Sequence, residues 1–135
     1  MQAGAGMALV TGPVLGLCAW LIWYVTRAAA DERLPANPAI GIRFPSTLRS
    51  DAAWRAAHRA ALGPTRWIAR SGLVCAVLLT ASAALAQGEQ PHPVTLGLFG
   101  IGYGAIVLGG SVWASVVATR AANDADPTGP HARDR

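Results

Sequence analysis

Long apolar stretches alternate with polar ones along this chain. Apolar residues dominate three segments, at about 8–26, 68–86 and 94–118, and each approaches the roughly 20 residues that a helix needs to cross a bilayer. The third segment, at about 1.5 Å per residue, exceeds a hydrocarbon core of about 30 Å, so this helix is expected to tilt or to project beyond the core. The pattern predicts an all-α integral membrane protein with three transmembrane helices.

The first segment is predicted to be an uncleaved anchor that follows a short outer N-terminus at 1–7. A cleaved signal peptide is the alternative, but it needs a positive region followed by only about 7–15 apolar residues. This chain has no Arg or Lys before Arg27, and its apolar run is longer. Trp20, Trp23 and Tyr24 near the end of the segment are suited to the headgroup interface.

The arginines determine the predicted orientation. The stretch from Arg27 to Arg70 holds eight of the eleven arginines, whereas the short connection at 87–93 holds none. Because cytoplasmic loops carry an excess of basic residues, the N-terminus is predicted to lie outside, and the arginine-rich loop and the C-terminus inside. Richness in Ala, Gly and Arg without Lys is typical of a GC-rich bacterial genome, so the predicted location is the bacterial plasma (inner) membrane.

The composition of the chain indicates which kind of partner it binds. Charged residues are 13% of the chain, against about 25% in soluble domains, and the net charge is +4. Because the arginines flank apolar spans, the predicted partner is a bilayer with anionic headgroups at the cytoplasmic face rather than nucleic acid. Cys18 and Cys75 lie inside apolar segments and are predicted to be buried, with a disulfide as the alternative. The polar tail at 119–135 is predicted to be disordered.

The cytoplasmic loop at 27–67 holds the most distinctive residues. Asn37 precedes a proline, which favours a turn, and Pro45 again blocks helix. An Ala-rich run at 51–62 then has helical propensity. The start of this helix is expected to be capped by one of three hydroxyl side chains, Ser46, Thr47 or Ser50. Gly63-Pro64 is predicted to end it.

This short helix is predicted to be amphipathic. Trp54, Ala57, His58 and Ala61 share one face, at spacings i, i+3, i+4 and i+7. With arginines beside that face, the helix is suited to the inner headgroup layer. One interpretation is that it only covers the cytoplasmic surface of the spans. The alternative is that Arg43, Trp54 and His58 line a recognition surface, although a His beside a Trp is typical of packing or hydrogen bonding rather than catalysis.

Arg43 differs from the other arginines in its setting. It lies between two large apolar residues and is framed by Gly41 and Pro45. We expect a partner to fix its side chain, either backbone carbonyls or Asp51. The alternative is that Arg43 only adds to the positive charge of the inner loop.

These loop residues together resemble the signature of the SdpI/YfhL family of small bacterial membrane proteins. The matching positions are Asn37, Ile40, Gly41, Arg43, Pro45, Thr47, Trp54 and His58. The family pattern is a three-span unit with the motif in the loop after the first span, which corresponds to about 8–118 here. The founding member resembles two such units joined, protects cells from a secreted peptide toxin and draws a repressor to the membrane. Phe44 and Ser46 replace the Thr and Trp of many relatives, and the polar tail is not shared.

The resemblance implies tolerance to a membrane-active peptide toxin, or signalling of its presence, through the cytoplasmic motif. Arg43 and Trp54 would carry the binding surface. The residues expected to shape that surface are Asn37, Gly41, Pro45 and Thr47. The alternatives are a non-catalytic accessory or structural subunit of a larger membrane complex, and a small transporter or lipid-handling protein.

The residues themselves disfavour two function classes, a proton-coupled transporter and an enzyme. Proton-coupled transport normally needs an acidic residue or His buried at mid-membrane, and the predicted spans contain none. The sequence shows no nucleophile–base pair, paired carboxylates or metal-ligand cluster. We therefore predict no enzymatic activity, no cofactor and no metal.

The third span is rich in small residues that suit close helix packing. Gly100 and Gly104 form a GxxxG pair, and Ser111 and Ser115 continue the small spacing. One interpretation is packing within the chain's own three helices. The alternative is docking to a second copy of the chain or to a larger membrane protein partner.

Overall fold

The computed structural model describes residues 3–85 and 93–126, with side chains at 10–85 and 97–126. Three helices account for most of them: α1 (Ala3–Ala30), α2 (Asp51–Leu85) and α3 (Pro93–Ala125). Each is long and apolar enough to cross a membrane. The predicted all-α fold with three membrane-spanning helices is therefore confirmed. The predicted outer turn at 87–92 and the tail at 127–135 lie outside the described residues.

Helix α2 is central and packs against α1 on one side and α3 on the other. Small residues allow these close approaches. Gly72 of α2 faces both Ala19 of α1 and Tyr103 of α3. Gly110 of α3 leaves room for Ile68, whose Cγ1 would lie 2.5 Å from a Cβ placed on that glycine. In the described part of the chain α1 and α3 make no comparable contact with each other, so a cleft separates the outer helices.

The arginine-rich half of α2 extends beyond the hydrocarbon core. Helix α2 has 35 residues, or about 52 Å, which exceeds a hydrocarbon core of about 30 Å. All the charges of α2 lie between Asp51 and Arg70, whereas residues 71–85 carry none. The spanning part of α2 therefore begins near Trp67, and residues 51–66 stand in the polar region. Trp67 and Trp113 are about half exposed, which suits an interfacial aromatic belt with Trp20.

At the arginine-rich end of the molecule α2 and α3 are held together by two columns of alanine. Each column repeats every four residues, so its members share one face of a helix. The buried members are Ala53, Ala57 and Ala61 on α2, and Ala114, Ala118 and Ala122 on α3. Because methyl side chains let the two backbones approach closely, the pair of helices projects as one unit.

The prediction that Gly63-Pro64 ends a separate amphipathic helix is wrong. Helix α2 continues through both residues to Leu85, and the Pro64 side chain is buried. Proline cannot donate to the carbonyl of Ala60, but the Thr65 hydroxyl donates to the Ala61 carbonyl at 2.8 Å, which supports the next turn. Packing against α3 on both sides of the proline outweighs its helix-breaking tendency.

The predicted disorder of the tail also needs correction at its beginning. Residues 119–125 are helical and form the last two turns of α3. Ala122 is fully buried against α2, and Arg49 binds the end of α3. Composition alone missed this because the stretch gains its buried surface from another part of the chain.

The prediction that both cysteines are buried within the protein is wrong as well. Cys18 is exposed on α1, Cys75 is only partly buried on α2, and both are free thiols. An apolar segment shows that a residue lies in the bilayer but not whether it faces lipid or another helix. With three helices, much of each spanning surface faces lipid.

Candidate functional site

The connection between α1 and α2, residues 31–50, is named the motif loop here. It begins with a turn that ends α1: the Arg33 N–H donates to the Ala28 carbonyl at 2.9 Å, and Glu32 adopts a positive φ of 65°. This is the Schellman arrangement of a helix C-terminus, with Glu in the place usually taken by Gly. The Glu32 carboxylate lies 3.5 Å from Arg55 and 3.9 Å from Arg59, so α2 stabilises the unusual backbone.

Asn37 builds the first turn of the motif through its side chain. Its Oδ1 accepts the N–H groups of Ala39 at 3.0 Å and Ile40 at 2.9 Å. Its Nδ2 donates to the Pro35 carbonyl at 2.8 Å. Asn is favoured in this role because its short amide reaches backbone groups two or three residues away. Asn37 therefore acts by shaping the loop.

Gly41 lies where the loop passes closest to α2. Its φ is +106°, a conformation that strains residues with a Cβ. A Cβ at this position would lie 2.8 Å from His58 Nε2 and 2.8 Å from the Trp54 ring. Only glycine satisfies both the backbone angle and the close approach.

His58 binds the motif loop through one ring nitrogen, Nε2. It is fully buried, and its Nε2 accepts the Ile42 N–H at 3.0 Å. Because a backbone N–H can only donate, Nε2 is unprotonated and the ring proton is on Nδ1, which donates to the Trp54 carbonyl at 2.8 Å. Burial lowers the pKa of His58, and the bond to the Trp54 carbonyl opposes that shift. The residue precedes the spanning part of α2 and is held neutral.

Trp54 supports the same contact from the neighbouring turn. Only 1% of it is exposed, and its ring packs against that of His58 with a centroid distance of 4.1 Å. Its Nε1 donates to the Leu34 carbonyl at 3.0 Å. The indole thus fixes the beginning of the motif loop while His58 fixes its middle.

Thr47 organises the second half of the loop. Its buried Oγ1 accepts the Phe44 N–H at 2.9 Å and donates to the Ile42 carbonyl at 2.7 Å. Pro45 takes the second position of a turn closed by the Thr47 N–H and the Phe44 carbonyl, where a fixed φ is favoured. Ser50 then caps α2, since its Oγ accepts the Ala53 N–H at 3.2 Å.

Arg43 is the motif residue that remains available. Its side chain is exposed, and its NH1 donates to the Pro38 carbonyl. The expectation that a backbone carbonyl fixes this arginine agrees with that bond. Among the described residues no carboxylate lies within 4 Å of it, whereas four other arginines pair with Asp31 or Glu32. The guanidinium therefore keeps donors for an outside acceptor.

Beneath the motif loop lies an apolar groove of about 460 Å³, which we call the motif groove. It occupies the cleft between α1 and α3, with α2 as its floor. Its lining residues are Leu21, Ile22, Val25 and Thr26 of α1, Ala39 to Arg43 of the loop, Thr65 and Ile68 of α2, and Ser111, Ala114 and Ser115 of α3. Arg43 is the one charged residue in that set. The hydroxyls of Thr26, Thr65 and Ser115 donate to carbonyls of their own helices, so at these three positions the walls present methyl and methylene groups.

The structure brings the predicted motif residues together, but not as one exposed surface. Trp54 and His58 are buried and position the loop, so in this conformation Arg43 alone of those three faces outward. A Cβ placed on Gly100 or Gly104 would meet no atom from elsewhere in the described chain within 4 Å. Packing among the described residues therefore does not use this glycine pair. Ser111 and Ser115 line the motif groove.

Sequence reasoning missed two features of the site. One is Arg49, whose guanidinium donates to the Asp126 carbonyl at 2.8 Å and joins the motif loop to the end of α3. No local signal marks a contact between residues so distant in the chain. The other is the alanine column of α3, which its four-residue spacing signals in the sequence.

The described residues contain no group of three or more His, Cys, Asp or Glu side chains that could hold a metal ion. The geometry instead offers an apolar groove with one cation at its mouth. That arrangement suits binding of an apolar or amphipathic molecule with an anionic group.

Comparison with known families identifies the class. The fold and the site define a multi-pass helical membrane protein in which the polar motif loop is bound to the second helix. The model of the SdpI/YfhL protein family matches residues 33–121, which include the whole motif, all of α2 and most of α3. The match covers well over half of the chain, and the chain belongs to the SdpI/YfhL family. Searches of the curated proteins and of the solved structures found no match.

Proposed function

We propose that this SdpI-like protein gives tolerance to a membrane-active peptide toxin, or signals its presence, by binding the peptide in the motif groove. The observation that carries the proposal is the pairing of apolar walls with a single available arginine. The groove volume of about 460 Å³ lies within the range of ordinary ligand sites, about 300–1,000 Å³. An apolar peptide segment would fill it from the bilayer, and a carboxylate or backbone carbonyl of the peptide would bind Arg43.

Family membership supports the class of protein, and the groove supports a binding role within it. Toxin tolerance by binding needs no chemistry, in keeping with the proposal that the protein is not an enzyme and uses no cofactor. We further infer that the arginine-rich end faces the cytoplasm of a bacterial cell, since eight arginines lie between Arg27 and Arg70. A single cysteine at Leu48, in a chain whose native cysteines are replaced by alanine, should resist membrane-impermeant thiol reagents in intact cells. Labelling of this cysteine from outside the cell would show that the orientation is the opposite one.

The binding role is tested by challenge of bacterial cells that express the protein. The cells would be exposed to a panel of secreted membrane-active peptides, with survival and membrane potential as readouts. We expect Ser111→Trp to abolish protection because the indole fills the motif groove, whereas Val112→Trp, which is 64% exposed and outside the groove, should protect normally. Arg43→Gln should lose protection and Arg33→Gln should keep it. Equal protection by all four variants would reject the groove as the binding site.

A second candidate function is that of a non-catalytic accessory subunit of a larger membrane complex or homo-oligomer. It is favoured by the unpacked Gly100 and Gly104 on the outer side of α3, where a partner helix has room to approach. Purification in mild detergent separates the two candidates. A stoichiometric partner that Gly104→Leu removes, together with normal behaviour of Ser111→Trp, would favour the subunit and displace the tolerance proposal.

A further inference from the structure

Two of the four arginines of α2 form no ion pair with a described carboxylate. Asp31 and Glu32 pair with Arg27, Arg33, Arg55 and Arg59, in contacts between 3.3 and 3.9 Å. Arg66 and Arg70 are also exposed, yet no carboxylate lies within 4 Å of either among the described residues. They are four residues apart, so they lie side by side on one face of the helix, where like charges repel unless an anion joins them.

These two arginines line the mouth of a second groove, between α1 and α2. The α1 residues of this groove follow one another at helical spacing on the face opposite to that of the motif groove. The lining consists of Gly16, Leu17, Trp20 and Trp23 of α1 with Arg66, Ala69, Arg70 and Leu73 of α2, around a volume of about 600 Å³. The arginines lie within a turn of Trp67, where the spanning part of α2 begins, which is the level of lipid headgroups.

The groove continues into the bilayer as an open, almost entirely apolar channel, in whose lining Thr80 is the one polar residue and donates its hydroxyl to the Ala76 carbonyl. A further cavity of about 500 Å³ shares Gly16, Leu17 and Leu73 with it and extends along α2 as far as Ala84. The lining of that cavity contains no charged residue. From Ala69 to Ala84 the helix rises about 22 Å at about 1.5 Å per residue, which exceeds half of a hydrocarbon core of about 30 Å. The combined surface, here named the lipid groove, is therefore long enough for an acyl chain of one leaflet.

We propose that the lipid groove binds one anionic phospholipid, with its phosphate between Arg66 and Arg70 and one acyl chain along the channel toward Ala84. Charge and shape agree in this assignment. The unpaired cations meet the anionic headgroup at the correct depth, and the apolar channel takes the chain that follows it. A zwitterionic lipid would leave the two positive charges without a net counter-charge. The site is separate from the motif groove and does not depend on the proposed toxin binding.

The test measures lipid retention by native mass spectrometry of the full chain released from nanodiscs. Nanodiscs of phosphatidylglycerol and of phosphatidylcholine with the same acyl chains would be compared. We expect one tightly held phosphatidylglycerol and little phosphatidylcholine. The double variant Arg66→Gln/Arg70→Gln should retain about thirtyfold less phosphatidylglycerol, because each arginine near an anionic surface adds separately to the attraction.

A matched control distinguishes this site from general attraction to the arginine-rich end. Arg55→Gln/Arg59→Gln removes two arginines at the same spacing and from the same helix, but these pair with Glu32 outside the lipid groove. It should retain lipid as the wild type does. Equal losses in both double variants, or equal retention of the two lipids, would overturn the proposal.

A third variant examines the acyl channel by itself. Ala81→Trp fills the apolar part of the lipid groove, away from both arginines and without changing charge, whereas Val74→Trp places the same side chain on a 57% exposed position outside the lining. We expect loss of retained lipid in the first and wild-type retention in the second. Unchanged retention in Ala81→Trp would overturn the assignment of the acyl chain to this channel.

Discussion

Replacement of Gly41 by alanine should open the motif loop, because this glycine meets two independent constraints. Its φ of +106° strains any residue with a Cβ, at a cost of about 1–2 kcal/mol. The added methyl would lie 2.8 Å from His58 Nε2, so either the loop or the imidazole must move. That movement separates Nε2 from the Ile42 N–H, and a buried N–H without a partner costs about 1–3 kcal/mol. The closed loop should therefore lose about 2–5 kcal/mol of stability.

Hydrogen–deuterium exchange of the peptide that contains Ile42 and Phe44 measures this loss directly. Both amides are hydrogen-bonded in the closed loop, to His58 and Thr47 respectively. At about 1.4 kcal/mol per factor of ten, a loss of 2 kcal/mol corresponds to exchange about thirtyfold faster. The experiment uses purified protein in detergent, with exchange in the spanning part of α2 as an internal reference.

The matched control is Gly102→Ala. Gly102 lies inside α3, and a Cβ there meets nothing within 4 Å in the described chain. Its exchange at Ile42 and Phe44 should equal that of the wild type. If Gly41→Ala also exchanges within about threefold of the wild type, the close approach of the loop to His58 does not exist in solution and the structural role of Gly41 is refuted.

Three further predictions concern the same scaffold. Thr47→Val should destabilise the loop by up to about 1–3 kcal/mol, because the part-buried Phe44 N–H and the Ile42 carbonyl lose their partner. Faster amide exchange would show this loss, whereas Thr47→Ser should keep the loop closed. Because the pKa of His58 is lowered in the folded protein, the opened state binds more protons, so loop stability is complete above about pH 6.5 and falls as the pH drops toward the folded pKa. The protection factor at Ile42, which allows for the slower intrinsic exchange at low pH, should fall on acidification, and His58→Gln should lose that pH dependence. A protection factor that does not change with pH in the wild type would contradict the assignment. Ala118→Leu should lower the thermal unfolding temperature, since overpacking at this buried position costs about 1–3 kcal/mol. Ala105→Leu, on the exposed side of α3, should leave that temperature unchanged. Equal effects of the two variants would contradict the contact between the alanine columns.

The sequence predicted which residues form the site better than it predicted what each of them does. Gly41 and Pro45 are residue types with strong backbone preferences. In the structure Gly41 lies at the close approach to α2 and Pro45 lies in a turn. Trp54 and His58 were equally visible in the sequence, yet their spacing only showed that they share a helix face. Whether that face meets lipid, a ligand or the protein itself depends on the loop that covers it. Their burial beneath the motif loop made them positioning residues and left Arg43 as the exposed group.

The sequence by itself determined the three membrane-spanning helices. Transfer of an apolar segment into a bilayer depends on that segment's own composition and length, so hydropathy identifies spans without knowledge of their neighbours. The capping of α2 by Ser50 and the turn built by Asn37 were equally local, since each involves atoms only two or three residues apart.

Only the tertiary structure decided how far the helices continue and which side chains remain available. Pro64 is tolerated inside α2 because α3 packs along both sides of it, and residues 119–125 become helical because they meet the alanines of α2. The pairing of arginines was also invisible in the sequence, since Arg49 finds its partner 77 residues away. Such contacts depend on the distance between elements after folding, which local composition does not encode.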